Sequence, residues 1–185
     1  MPNPPRLRGA FRVDDRARAC YAEGAGIYRI VPAAVAVPVD VADLQTLVRW
    51  AAADATPLVA RSAGSAMGGG NVGDGAVVDL TALLPVVTDI DVPRRRARVS
   101  AGVTAHALDA AAREHGLRFP PIPSSGRFAT LGGMTATNAS GASAVWCGSI
   151  RPWIHAIEWL DASGEPHRWV RGEATESAGR WHALA

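Results

Sequence analysis

The residues of this chain best suited to chemistry are its small ones. Two segments combine glycines with hydroxyl side chains, and each follows an apolar run. The first is Arg61-Ser62-Ala63-Gly64-Ser65-Ala66-Met67-Gly68-Gly69-Gly70. The second runs from Pro123-Ser124-Ser125 through Thr130-Leu131-Gly132-Gly133 to Thr137-Asn138-Ala139-Ser140-Gly141. Glycine reaches backbone angles closed to other residues and leaves N–H groups uncovered, and successive N–H groups turned toward one point make an anion nest. Ser62 and Ser65 add hydroxyl donors, and Arg61 can form a charge-assisted hydrogen bond, either to a ligand or to the protein frame. A glycine-rich turn alone would signify little more than flexibility. The first segment is no Walker A loop, because no Lys-Ser/Thr pair follows, and it lacks the spacing of a Rossmann fingerprint. In the second, Pro120, Pro121 and Pro123 stiffen the approach. Ser124 and Ser125 offer hydroxyls, Gly132 and Gly133 admit close contact, and Thr137, Asn138 and Ser140 supply polar groups before Gly141. Loops this long inside a compact domain are usually functional. Two phosphate-approach surfaces point to an extended dinucleotide held along its length.

The elements that must position these loops follow from periodicity. Residues 1–29 read as an extended lead-in with a helical patch. Ala34-Val35-Ala36-Val37 is a strand stopped by Pro38, and Asp40 caps a helix over 41–53 whose Val41, Leu44, Leu47, Val48 and Ala51 form one apolar stripe. Leu58-Val59-Ala60 reads as a buried strand feeding the first loop. Further strands are expected at 76–80, 86–91 and 97–100. Thr104 caps a second helix carrying Ala107, Leu108, Ala111 and Ala112, closed by His115 and Gly116. The second loop is expected to fill about 120–149, followed by strands at 154–160 and 167–170 around the turn 161–164. Strands and helices alternate at first and then the strands crowd, which predicts an α+β fold of two subregions, 30–93 and 97–170, parted near 93–97. Residues 171–185 have no period, and a catalytic domain rarely stops so soon after its last strand. The chain is therefore expected to be the front part of something longer.

Composition bounds the rest. With 185 residues, 48% of them hydrophobic, the chain can bury one core or two small lobes around a shared ligand. The formal net charge is only +2, and the cluster Arg94-Arg95-Arg96 with Arg98 reads as a solvated turn. Two Tyr and three Phe without basic–aromatic interleaving argue against nucleic acid. Cys20 and Cys147 make neither a metal spacing nor a disulfide framework, and reduced thiols fit a cytoplasmic setting. The N-terminus lacks a signal segment, and the apolar run 30–39 is broken by Pro32 and Pro38 and is too short to span a bilayer. The five histidines show no metal spacing. His106 reads as a surface helix residue and His155 as structural, so no catalytic base is named.

In chain order, a set of short motifs carries a resemblance. They are Ile27-Tyr28-Arg29-Ile30 with Pro32, the 61–70 loop, Val77-Val78-Asp79-Leu80, Ala97-Arg98-Val99 with Gly102-Val103, Phe119-Pro120-Pro121-Ile122-Pro123-Ser124-Ser125, Thr130-Leu131-Gly132-Gly133, Thr137-Asn138-Ala139 with Gly141, and Glu158. Over about residues 11–170 the chain resembles the FAD-binding (PCMH-type) domain of the vanillyl-alcohol oxidase / p-cresol methylhydroxylase flavoproteins. The likeness is to their D-lactate dehydrogenase, glycolate oxidase and D-2-hydroxyglutarate dehydrogenase branch. The resemblance implies a two-subdomain fold over 30–170 after the lead-in. It implies FAD, with its pyrophosphate on the backbone of Arg61, Ser62, Ala63, Gly64, Ser65 and Ala66. The rest of the cofactor would lie along Pro123, Ser124, Ser125, Thr130, Gly132, Gly133, Thr137, Asn138, Ser140 and Gly141, with the adenosine end against Trp159. It further implies oxidation of a small D-2-hydroxy acid by hydride transfer to flavin N5. A C-terminal substrate or cap domain, or a partner chain, would complete the site, so these residues alone are expected to be inactive. Three positions depart from the family. Ser65 stands where some relatives attach FAD through a histidine, so the cofactor should be non-covalent. Ala63 replaces a frequent glycine, and Cys147 a usual tyrosine. Apolar surface is expected around Met134, Trp146 and Trp153, where the second domain would sit, so the isolated chain should associate. Three other readings stay open: a stand-alone flavin-binding or electron-transfer subunit, a UDP-sugar enolpyruvyl reductase-like flavoprotein, and a degenerate domain that binds no flavin.

Overall fold

Two central strands, apolar on both faces except for one terminal aspartate, carry the first half of the molecule. In the computed structural model, which describes residues 3–83 and 86–173, four strands lie in the order β1-β2-β4-β3. They are β1 (Ala10–Arg12), β2 (Ala34–Val37), β3 (Leu58–Arg61) and β4 (Ala76–Asp79). β2, β4 and β3 run parallel, and β1 joins β2 antiparallel. Parallel strands covered on both faces need continuous apolar runs, and Ala34, Val35, Ala36, Ala76, Val77 and Val78 are all buried. The strand expected to be buried at 58–60 is instead the sheet edge. With β4 on one side only, β3 is half-buried and Ala60 is exposed.

The expected helix is α2 (Val41–Ala53), and Asp40 caps it by accepting the Asp43 N–H at 2.8 Å. Its stripe turns Leu47, with no exposed surface, onto the sheet, a burial that stabilises by about 1.5–3 kcal/mol. Phe11 and Trp50 meet edge to face, 5.2 Å apart. The Asp43 carboxylate accepts the N–H groups of Arg8, Gly9 and Val39, and so ties the lead-in to α2. The helical patch of that lead-in is α1 (Asp15–Cys20), capped by Asp14.

The second half is built from two antiparallel hairpins and short helices. β5 (Val87–Asp91) pairs with β6 (Arg96–Val99), and β7 (Ala156–Leu160) with β8 (Pro166–Val170). The parting near 93–97 drawn from the sequence thus falls within the first hairpin. Arg94 pairs with Asp91 in the turn, whereas Arg96 and Arg98 reach across to His155 at 2.9 Å and Glu158 at 3.0 Å. The hairpin tip 161–165 docks on α2, where Gln45 donates to the Gly164 carbonyl and Arg49 pairs with Glu165.

The segment 120–149, expected to be a loop, is not one throughout. It contains α4 (Leu131–Thr137) and α5 (Ala144–Cys147), followed by a 3-10 turn at Arg151–Trp153. Two glycines and two threonines hid α4, because all four lower helix propensity. The helix forms because Thr130 caps it and because Leu131 and Met134, three apart on one face, enter a core with Val103, Leu108 and Ile150. Met134 is therefore only 2% exposed and is no part of an open apolar surface, whereas Trp146 (79%) and Trp153 (44%) are. α3 (Ala105–Arg113) is capped by Thr104 as expected. Residues 174–185, with His182 and most of the tail, lie outside the described residues.

Candidate functional site

The first loop leaves β3 with its amides unclaimed. Among the described residues, no N–H from 62 to 67 has a protein acceptor, and the Ser62 and Ser65 hydroxyls have no partner either. Gly64, buried at the apex, takes φ +70, a left-handed angle that bends successive amides toward one side. The lead-in holds the loop from outside. Ala25 donates to the Gly64 carbonyl at 2.9 Å, Gly26 lies against Met67, and Gly69 lies against the Tyr28 ring. Arg61 sends Nη1 to the carbonyls of Tyr21 and Asn71. Of the two roles open to it in the sequence, the structure gives it the one in the protein frame.

The second segment meets the first at α4. A Cβ on Gly133 would sit 3.1 Å from Ser62 Oγ, and one on Gly132 2.7 Å from the Ala101 side chain. The glycine pair thus admits close approach of protein to protein. The N-terminus of α4 is closed, since Leu131 donates to Val103, Gly132 to Ala101, and Gly133 to Thr130 Oγ1. Thr130, Thr137 and Asn138 are committed to this helix. Thr137 donates to the Gly133 carbonyl, and Asn138, at φ +49, ends the helix and accepts the Arg151 N–H.

Open amides reappear beyond α4. A Cβ on Gly141 would fall 1.9 Å from the Ile122 carbonyl oxygen, so 122–125 and 139–141 run side by side. Pro123 turns the chain there. The N–H groups of Ser124, Ser125, Ser140 and Gly141 have no protein acceptor among the described residues, and nor do the three serine hydroxyls. The first set of bare donors therefore reaches α4 through Ser62 at Gly133, and the second lies on the segments that precede and follow that helix. Two separate sets of donors suit different parts of an extended ligand. Trp159 lies on another sheet, stacked on His167 at 5.5 Å. Its neighbours on that face, Ile157 and Trp169, line a cavity of about 450 Å³ with Thr135 and Asn138 at the end of α4.

Sequence reasoning missed the frame beneath the first loop. The Tyr21 hydroxyl donates to Asp79, whose other oxygen accepts Thr81 N and Oγ1 at 2.8 and 2.6 Å. Burial first, and then the bond to Asp79, push the Tyr21 phenol up to about 12. Nothing local marks Tyr21 and Asp79 as a pair. The glycines at 24 and 26 were the one available sign that the lead-in touches something. Among the described residues, no cluster of His, Cys, Asp and Glu could hold a metal ion, and no helix is long and apolar enough to cross a membrane.

The described residues thus form an α+β domain with two sets of backbone amides that the protein leaves bare. The chain belongs to the FAD binding domain family, whose profile matches residues 32–169. It is similar to D-2-hydroxyglutarate dehydrogenase of Pseudomonas putida, 34% identical over 86% of this chain and 16% of that protein. It is likewise similar to D-lactate dehydrogenase of Archaeoglobus fulgidus, 34% identical over 70% of this chain and 29% of that one. The chain thus spans less than a third of the length of these relatives. Among solved structures, 6-hydroxy-D-nicotine oxidase of Arthrobacter nicotinovorans superposes with a TM-score of 0.75, at 22% identity, over 94% of this chain and 38% of that one. Alkyldihydroxyacetonephosphate synthase gives 0.70 at 18% identity, over 90% and 33%. These two likenesses bear on the fold, which is the PCMH-type flavoprotein fold expected from the motifs.

Proposed function

We propose that the chain is the FAD-binding part of a flavin-dependent oxidoreductase acting on a small D-2-hydroxy acid, with residues 30–170 as the cofactor domain. The observation that carries this is the run of unpartnered amides at 62–67, curled at Gly64 and placed against α4 through Ser62 and Gly133. A half-open nest of N–H donors without protein acceptors, with Gly64 buried at its apex, is a ready anion site, so the residues fit a diphosphate. Ser62, Ala63, Gly64, Ser65 and Ala66 would hold the pyrophosphate, and Ser124, Ser125, Ser140 and Gly141 a more distant polar portion. When bound, the flavin supplies the hydride acceptor for oxidation of a hydroxyl-bearing carbon. The protein's part is to bind it, orient it and keep water from it.

Relatives named for D-2-hydroxyglutarate and D-lactate support the substrate class. Turnover belongs to the longer protein that their length implies, or to an assembly with a partner chain. Ser65 offers no imidazole for a covalent link, so binding is non-covalent. The free thiols of Cys20 and Cys147 suit a reducing, cytoplasmic compartment. The test is titration of the purified chain with FAD, followed by flavin fluorescence and then denaturation and filtration. Saturable quenching with complete release of flavin into the filtrate is expected. A folded chain that leaves flavin fluorescence unchanged would overturn the reading, and flavin retained on the denatured polypeptide would overturn the non-covalent part.

A further inference from the structure

Arg61 opens the first loop, and its side chain turns under it. Nη1 donates to the Tyr21 carbonyl at 3.4 Å and to the Asn71 carbonyl at 3.3 Å. The guanidinium carbon lies 5.4 Å from the centre of the Tyr21 ring. A Cβ on Gly64 would meet Nη2 at 2.5 Å, so the apex of the loop rests on the guanidinium. The loop therefore runs around this one cation: Arg61 begins it, Gly64 lies on it, and Asn71 returns to it. Strand pairing sets Asp79 opposite Arg61, and the Tyr21 hydroxyl anchored on Asp79 fixes the ring under the guanidinium. The Asn71 side chain, in a residue 6% exposed, is shut in against Gly24.

We propose that Arg61 is a positioning residue that clasps both ends of the 61–71 loop, keeps the amides of 62–67 aimed at one anion, and does not touch the cofactor. The clasp is a property of the loop itself, and only its consequence for flavin affinity rests on the FAD reading above. A planar fork seated on an aromatic ring and shared between two carbonyls cannot be replaced by the point charge of lysine. The charge-conserving variant therefore separates a clasp from a direct ion pair with phosphate.

Two measurements on the full chain test this. The first is hydrogen exchange without ligand in wild type and Arg61→Lys. The Ala25 and Val72 amides, whose acceptors are the Gly64 and Gly69 carbonyls, should exchange about tenfold faster in the variant, while Val77 and Val78 of the sheet do not change. Unchanged exchange at Ala25 and Val72 would overturn the clasp, as would a uniform acceleration that includes the sheet. The second is titration with FAD and with riboflavin, which lacks phosphate. Arg61→Lys and Arg61→Met should both weaken FAD about tenfold and leave riboflavin within about twofold. If Arg61→Lys binds FAD like wild type while Arg61→Met does not, Arg61 contacts the ligand directly and the proposal fails. Should wild type bind no FAD, the cofactor reading falls, and the exchange result still decides the clasp.

Discussion

Single residues separate ligand-facing from frame-facing roles, and two glycines make the contrast testable. Gly64 sits at φ +70 beside the Arg61 guanidinium. Gly64→Ala should cost about 1 kcal/mol of stability through its left-handed angle, and flavin affinity should fall about tenfold because the nest opens. Urea denaturation and FAD titration read the two effects separately, and an unchanged affinity would remove Gly64 from the cradle. Gly141 sits within the second amide set, but its Cα faces the Ile122 carbonyl, where an added Cβ would stand 1.9 Å from the oxygen. Backbone cannot give way as a side-chain tip can. Gly141→Ala should therefore destabilise by about 1–3 kcal/mol, visible as a lower urea midpoint at unchanged slope. Both glycines were legible as special in the sequence. Which one shapes the donor loop and which one makes room for neighbouring backbone was not, because the Ile122 carbonyl comes against Gly141, and Tyr21 and Asn71 turn the Arg61 guanidinium under Gly64, only in the folded chain.

At the level of elements, local signals worked where a helix carried its own cap and stripe. Asp40 with Leu44, Leu47 and Ala51 announced α2, and Thr104 announced α3. They failed at α4, whose low-propensity glycines and threonines are held helical by the Thr130 cap and by Leu131 and Met134 in the core. α3 is joined to the approach of the second loop by one carboxylate. Burial raises the pKa of Asp109, but the Phe119 amide and the Arg113 and Arg118 guanidiniums outweigh it, so the carboxyl titrates below its ordinary 3.8. A carboxylate favoured by folding contributes stability above its unfolded pKa, and that stability is lost as pH falls through the folded value. Asp109→Asn should therefore melt below wild type at pH 7, and the gap should close as the buffer is taken below about pH 4. Thermal unfolding at both ends of that window checks it, and a gap of equal size at both would show that ionisation plays no part.

Across the whole molecule, the two halves meet where Ser62 lies against Gly133 of α4 and through the 161–165 tip on α2. An exposed apolar face remains, with Val145 fully open and Trp146 79% exposed on α5 beside Trp153. Contiguous apolar surface of this kind marks an interaction site or a tendency to associate. Sedimentation velocity of this polypeptide should show concentration-dependent association that Val145→Ser with Trp146→Ser reduces. A monodisperse monomer at high concentration would count against an interface there.

From composition and order of residues alone came the α+β class, the caps of α2 and α3, seven of the eight strands (β1 was read as part of an extended lead-in) and two glycine-bearing segments rich in hydroxyl and amide donors. These follow from short-range physics: periodicity, capping and backbone freedom act between residues a few positions apart. Only tertiary structure decided which donors stay bare. The N-terminal amides of α4 are consumed by Val103 and Ala101, the guanidinium of Arg61 by Tyr21 and Asn71, and the amides of 62–67 by no acceptor among the described residues. A hydrogen-bond donor's availability depends on whatever acceptors the fold brings within reach, and those acceptors come from distant parts of the chain.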